Sequence, residues 1–158
     1  MHDFKVPTVQ VATELHCLDG GVLKGYVYMA ALSAVQAGPM LPTEWINSPP
    51  LFFPFRRDNG ETLLVNKHQV LAMSVEVPAP DADTWQAPTP VRHTVVEAGG
   101  KRFGGAVAID MPENQRRLVD YLNRPEAFLC LASGGNQVLV RKELISRVFE
   151  IEETSRWK

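Results

Sequence analysis

The chain repeats itself, and that limits what it can fold into more than any other feature. Asn47-Ser48-Pro49-Pro50-Leu51-Phe52-Phe53-Pro54-Phe55 aligns with Asn123-Arg124-Pro125-Glu126-Ala127-Phe128-Leu129-Cys130-Leu131 at an offset of 76. Leu64-Val65-Asn66-Lys67-His68-Gln69-Val70 aligns with Leu139-Val140-Arg141-Lys142-Glu143-Leu144-Ile145 at an offset of 75. The one-residue slip falls where Asp58-Asn59-Gly60 faces Gly134-Gly135-Asn136, a turn, where a length change costs least. Upstream, Gly20–Val27 aligns more weakly with Gly100–Val107 at an offset of 80. Three matches in the same order read as a tandem duplication of one pseudo-symmetric unit, residues 6–77 and 91–152. Residues 78–90 hold four prolines and form an extended linker. Trp85 within it either pins the linker to one copy or serves as an exposed anchor for a partner.

Each copy reads as strands. Val9, Val11, Thr13, Leu15 and Cys17 alternate with Gln10, Ala12, Glu14 and His16, the period of a half-buried strand. Asp19-Gly20-Gly21 is hairpin-turn chemistry, and Leu23–Met29 is the return strand. The second copy repeats this with Thr94–Ala98, Gly99-Gly100 and Phe103–Ile109. A helix follows at Pro112–Leu122, with Leu118, Tyr121 and Leu122 on one stripe; its counterpart is barely a turn, Thr43–Ile46. Asn47 and Asn123 then suit the left-handed position after a helix. Strands at Phe52–Arg57, Thr62–Asn66 and Val70–Val77 finish the first copy. Those at Phe128–Ala132, Val138–Arg141 and Ile145–Ile151 finish the second. The expected fold is mainly β with short helices: two tandem five-stranded units, each curled into a small barrel to hide its edges.

Order and spacing resemble the Sm-like small β-barrels, with their glycine hairpin turn and a glycine in the second strand. Arg117-Leu118-Val119-Asp120-Tyr121-Leu122-Asn123, Phe128-Leu129, Val138-Leu139-Val140-Arg141-Lys142 and Ile145 are similar to a small bacterial domain of unassigned function. Leu63-Leu64-Val65-Asn66-Lys67 in the first copy keeps the ending of that domain's pattern. Sm-like proteins bind RNA through an arginine–glycine pair at the last turn. Here those positions hold Asn66-Lys67 and Arg141-Lys142, with no glycine.

Catalytic chemistry is not legible. Cys17, Cys130, His2, His16, His68 and His93 form no paired zinc spacing. Gly99-Gly100 and Gly104-Gly105 lack the lysine and long helix of a phosphate loop and read as turn and bulge. No catalytic residue, metal or cofactor is assigned. Of the 158 residues, 45% are hydrophobic and 22% charged. No apolar run nears the roughly 20 residues that span a bilayer. With two cysteines and no basic–apolar leader, a cytoplasmic protein is expected.

Charge is uneven. Residues 1–77 carry 5 basic and 7 acidic side chains, the linker 0 and 2, and residues 91–158 carry 11 and 9. Arg116-Arg117, Arg124, Arg141-Lys142 and Arg147 either form a solvated surface or gather to meet an acidic partner or RNA. Apolar residues that a small unit is expected to leave unburied are Trp45, Phe52, Phe53, Trp85 and Trp157. The function expected is a non-enzymatic adaptor that binds a protein partner or assembles with itself. Its candidate contacts are Trp45, Phe53, Trp85, Arg116, Arg117, Arg141 and Lys142. The alternative is an RNA-binding barrel protein using the basic second copy.

Overall fold

The structure, a computed structural model, describes residues 7–34, 38–76, 91–109 and 117–151. It is mainly β with short helices. The chain divides into two compact units, Met1–Glu76 and Val77–Lys158.

The first unit comprises β1 (Thr8–Cys17), β2 (Val22–Ala30), α1 (Pro42–Ile46), β3 (Phe52–Arg57), β4 (Thr62–Asn66) and β5 (Val70–Glu76). A three-residue 3-10 turn, Lys67–Gln69, joins β4 to β5. The strands run in the order β5-β1-β2-β3-β4, every neighbour antiparallel. β1 holds the sheet together. Its Thr8–His16 stretch pairs with β2, and Thr13–Cys17 pairs with β5 on its other edge. The alternation in β1 turns Thr13 and Leu15 inward. Period two does the same in β3, where Phe53 and Phe55 are buried while Phe52 and Pro54 face out.

The second unit comprises β6 (Val91–Ala98), β7 (Lys101–Ala108), α2 (Leu118–Leu122), β8 (Phe128–Ser133), β9 (Asn136–Arg141) and β10 (Ile145–Ile151). Its order, β10-β6-β7-β8-β9, is that of the first unit, strand for strand. The expected start of α2 at Pro112 falls outside the described residues.

Three expectations are corrected. Neither five-strand order closes into a barrel: in each unit the two strands that closure must bring together stand at opposite ends. β2 and β3 pair at Gly25 with Arg57 and Tyr26 with Arg56, and a glycine permits the close approach. A Cβ on Gly25 would lie 2.0 Å from the Arg56 carbonyl oxygen, so β2 and β3 touch backbone to backbone. Gly105 meets Ala132 in the same way, at 2.8 Å. Second, Gly104 and Gly105 form no bulge; they pair in unbroken register with Val95 and Thr94. Third, Asn47 and Asn123 are not left-handed. Their φ,ψ values are −91°, 2° and −86°, 6°, because each side chain bonds back into its helix. Asn47 Nδ2 donates to the Thr43 carbonyl at 2.7 Å and Asn123 Nδ2 to that of Val119 at 3.0 Å. The asparagine thus extends the last turn instead of reversing it.

Two outcomes are expected. Gly25→Ala should cost about 3 kcal/mol or more, since neither backbone can retreat, whereas Gly104→Ala, whose nearest neighbour is 3.8 Å away, should stay within about 1 kcal/mol. Urea unfolding of both variants checks this; equal losses contradict the close approach. The second concerns acid. Glu44 accepts from Ser33 Oγ at 2.6 Å, Ala34 N at 3.2 Å and Leu41 N at 3.4 Å. The Ser33 bond foremost holds its pKa below the usual 4.5. A carboxylate with a depressed folded pKa stabilises above its unfolded value and loses that contribution as pH falls through the folded one. Thermal unfolding below pH 4.5 should therefore fall less steeply in Glu44→Gln than in the native chain.

Candidate functional site

Two of the expected contacts lie in the core instead. Trp45 is 8% exposed and Phe53 4%. Their rings meet edge to face at 4.8 Å, and Trp45 Nε1 donates to the Tyr28 carbonyl at 3.0 Å. The unit is small, but α1 lays its apolar side on the sheet and covers Phe53, so neither aromatic can anchor a partner. Trp85, Trp157 and Arg116 lie outside the described residues.

Next to Trp45, Lys67 ties α1 to the β4–β5 junction. Its Nζ donates to the Ser48 carbonyl at 2.7 Å, to Ser48 Oγ at 3.0 Å and to the Trp45 carbonyl at 3.3 Å. The ammonium stands 5.4 Å from the Trp45 ring centroid. Helix C-terminal carbonyls have no partner within the helix, and a lysine satisfies them. Burial lowers the Lys67 pKa.

The second unit uses Lys142 in the same way: its Nζ donates to the Arg124 carbonyl at 2.9 Å. Burial lowers its pKa first, Glu126 opposes this, and Arg124 adds to it. Arg141 is 7% exposed, and its guanidinium lies 4.7 Å from the Phe128 ring centroid. Burial lowers its pKa as well, against the pull of Glu143. Arg141 and Lys142 are thus occupied in holding the fold.

Other basic groups are engaged by acids. Arg117 grips Asp120 at 2.8 and 3.1 Å, and that hydrogen bond, with the charge of Asp120, raises the arginine's pKa. Glu97 takes Arg102 at 3.1 Å and Arg147 at 2.9 Å. Arg92 meets Glu150 at 3.1 Å, and Arg124 meets Glu126 at 3.4 Å. The basic residues of this unit are dispersed among carboxylates, an arrangement unlike a phosphate-tracking groove.

What remains open is an apolar strip on the outer face of the β3–β4 hairpin. Phe52 is 55% exposed, Leu64 is 74% exposed, and Pro54 stands between them, opposite Leu64 in the ladder. Tyr26, partly exposed, flanks the strip through its pairing with Arg56. Among the described residues β4 pairs with β3 alone, so one edge of β4 offers unpaired backbone groups. Leu64 escaped the sequence reading. The signal was there: alternation from Leu63 and Val65, both turned in, puts Leu64 outside.

Among the described residues no three His, Cys, Asp or Glu side chains gather to hold a metal. Burial pushes the Cys130 thiol up to about 11, which removes it as a nucleophile at neutral pH. No helix among the described residues is long and apolar enough to cross a membrane. Compared with known protein families, curated proteins and solved structures, the chain matches none.

The unequal anchoring of the two lysines is measurable. Lys67→Met keeps the stem and removes the donor of three bonds, so it should cost about 2–3 kcal/mol; Lys142→Met, with one bond lost, should cost about 1. Chemical denaturation of both variants tests the ranking.

Proposed function

We propose that the chain is a non-enzymatic adaptor that binds protein, a separate partner or another copy of itself, on the outer face of the β3–β4 hairpin. The observation that carries this reading is the strip Phe52–Pro54–Leu64 lying beside the open edge of β4. Apolar surface beside an unpaired strand edge is what strand addition uses: backbone bonds supply affinity, and alternate side chains supply specificity. Natural edges that must stay single carry lysine, proline or a bulge; β4 reads Thr-Leu-Leu-Val-Asn and has none of these.

We further read the two units as copies of one small-barrel-like ancestor, akin to the Sm-like folds although open. Equal strand order supports this, as do the two asparagine caps and the two lysine anchors. Cys17 and Cys130, neither of them in a disulfide, fit a reducing compartment such as the cytoplasm.

Immobilised full-length chain, wild type and Leu64→Glu, should be incubated with lysate of the cells that make it and analysed for protein and nucleic acid. Wild type should retain protein, the chain itself included, that Leu64→Glu loses, with both baits melting at the same temperature. Equal protein retention on both baits overturns the assignment. So does salt-sensitive nucleic acid held equally by both, which favours the RNA-binding alternative.

A further inference from the structure

The two units bury equivalent positions differently. By the sequence offsets, Phe52, Pro54 and Leu64 correspond to Phe128, Cys130 and Leu139. Phe128 is 6% exposed and Leu139 0%, against 55% for Phe52 and 74% for Leu64. The contrast reverses at the last strand. In β5, Val70, Leu71, Ala72, Met73 and Val75 are all buried. In β10 no residue is buried, and Phe149 is 47% exposed. Each chain therefore carries one bare strand of each kind, β4 from the first unit and β10 from the second. Phe52 and Leu64 are bare and still apolar where Phe128 and Leu139 are covered, and β10, though it carries Ser146, Arg147 and Glu150 where β5 buries Leu71, Ala72 and Val75, leaves Phe149 bare. Such a surface is built to be covered.

We propose that a second copy of this chain covers it, β4 of one copy pairing edge to edge with β10 of the next. This rests on the reading of the β3–β4 hairpin as a docking surface and names its occupant. Among the described residues β10 pairs with β6 alone, so it offers the matching free edge. The charges on β10 do not block that edge, because Arg147 and Glu150 are turned to Glu97 and Arg92 of neighbouring β6. Net charge selects the unlike pairing. The described residues of the first unit hold 4 basic and 6 acidic side chains, those of the second 8 and 5. First unit against second unit brings opposite signs together, whereas β4 against β4 brings like signs together. The contact is heterologous, one donor edge and one acceptor edge per chain.

Light scattering behind gel filtration on the full chain decides. Wild type should exceed the monomer mass, more so as concentration rises. Leu64→Glu and Phe149→Glu should each be monomeric, with a wild-type circular dichroism spectrum. An equimolar mixture of the two should give a dimer and no larger species, because one variant keeps its β10 and the other its β4; recovery on mixing also shows that both are folded. A Phe149→Glu chain that assembles as wild type, with Leu64→Glu monomeric, means β4 pairs with itself and overturns the head-to-tail contact. Wild type that stays monomeric at every concentration overturns self-assembly, and the adaptor reading then stands or falls on the lysate comparison.

Discussion

No side chain fits between β2 and β3 at Gly25, and the rest of the first unit follows from that contact. A sheet of five short strands cannot bury a useful core while it stays flat. Backbone contact at Gly25 lets β3 come up against β2, and the unit buries Leu15, Val27, Phe53 and Phe55. α1 then seals the open flank with Trp45. Gly105 performs the same office against Ala132 in the second unit. A larger residue at either place pushes the strands apart and opens the core beside them.

Most of the strands were legible in the residues. Phe52–Arg57, Thr62–Asn66 and Ile145–Ile151 are expected and observed with the same ends. Period-two alternation and turn glycines are local signals, and they survive folding. The asparagine caps were placed correctly but given the wrong conformation. Sequence shows a residue that tolerates positive φ; only the helix geometry shows that its amide reaches the carbonyl four residues back. Closure was misjudged for a related reason: alternation marks strands and faces but not which edges meet.

The candidate site was only half legible. Aromatic residues in so small a unit suggest surplus apolar surface, and Phe52 is indeed bare. Trp45 and Phe53 are not, because α1 and β3 bring them together. Arg141 and Lys142 look like a basic pair in sequence, yet one lies against a phenylalanine ring and the other under a helix end. Chemical type is read from sequence; availability is set by packing.

Lys67 has a use that its anchoring role creates. Lys67 is 8% exposed, its ammonium beneath the carbonyls of Trp45 and Ser48. Acylating reagents need the free amine and a clear line of approach, and the closed junction denies them the second. Once the junction parts, the amine loses its cover and reacts as any exposed lysine does. Its labelling rate therefore measures how often the helix lifts from the strand, a local opening that global melting does not report.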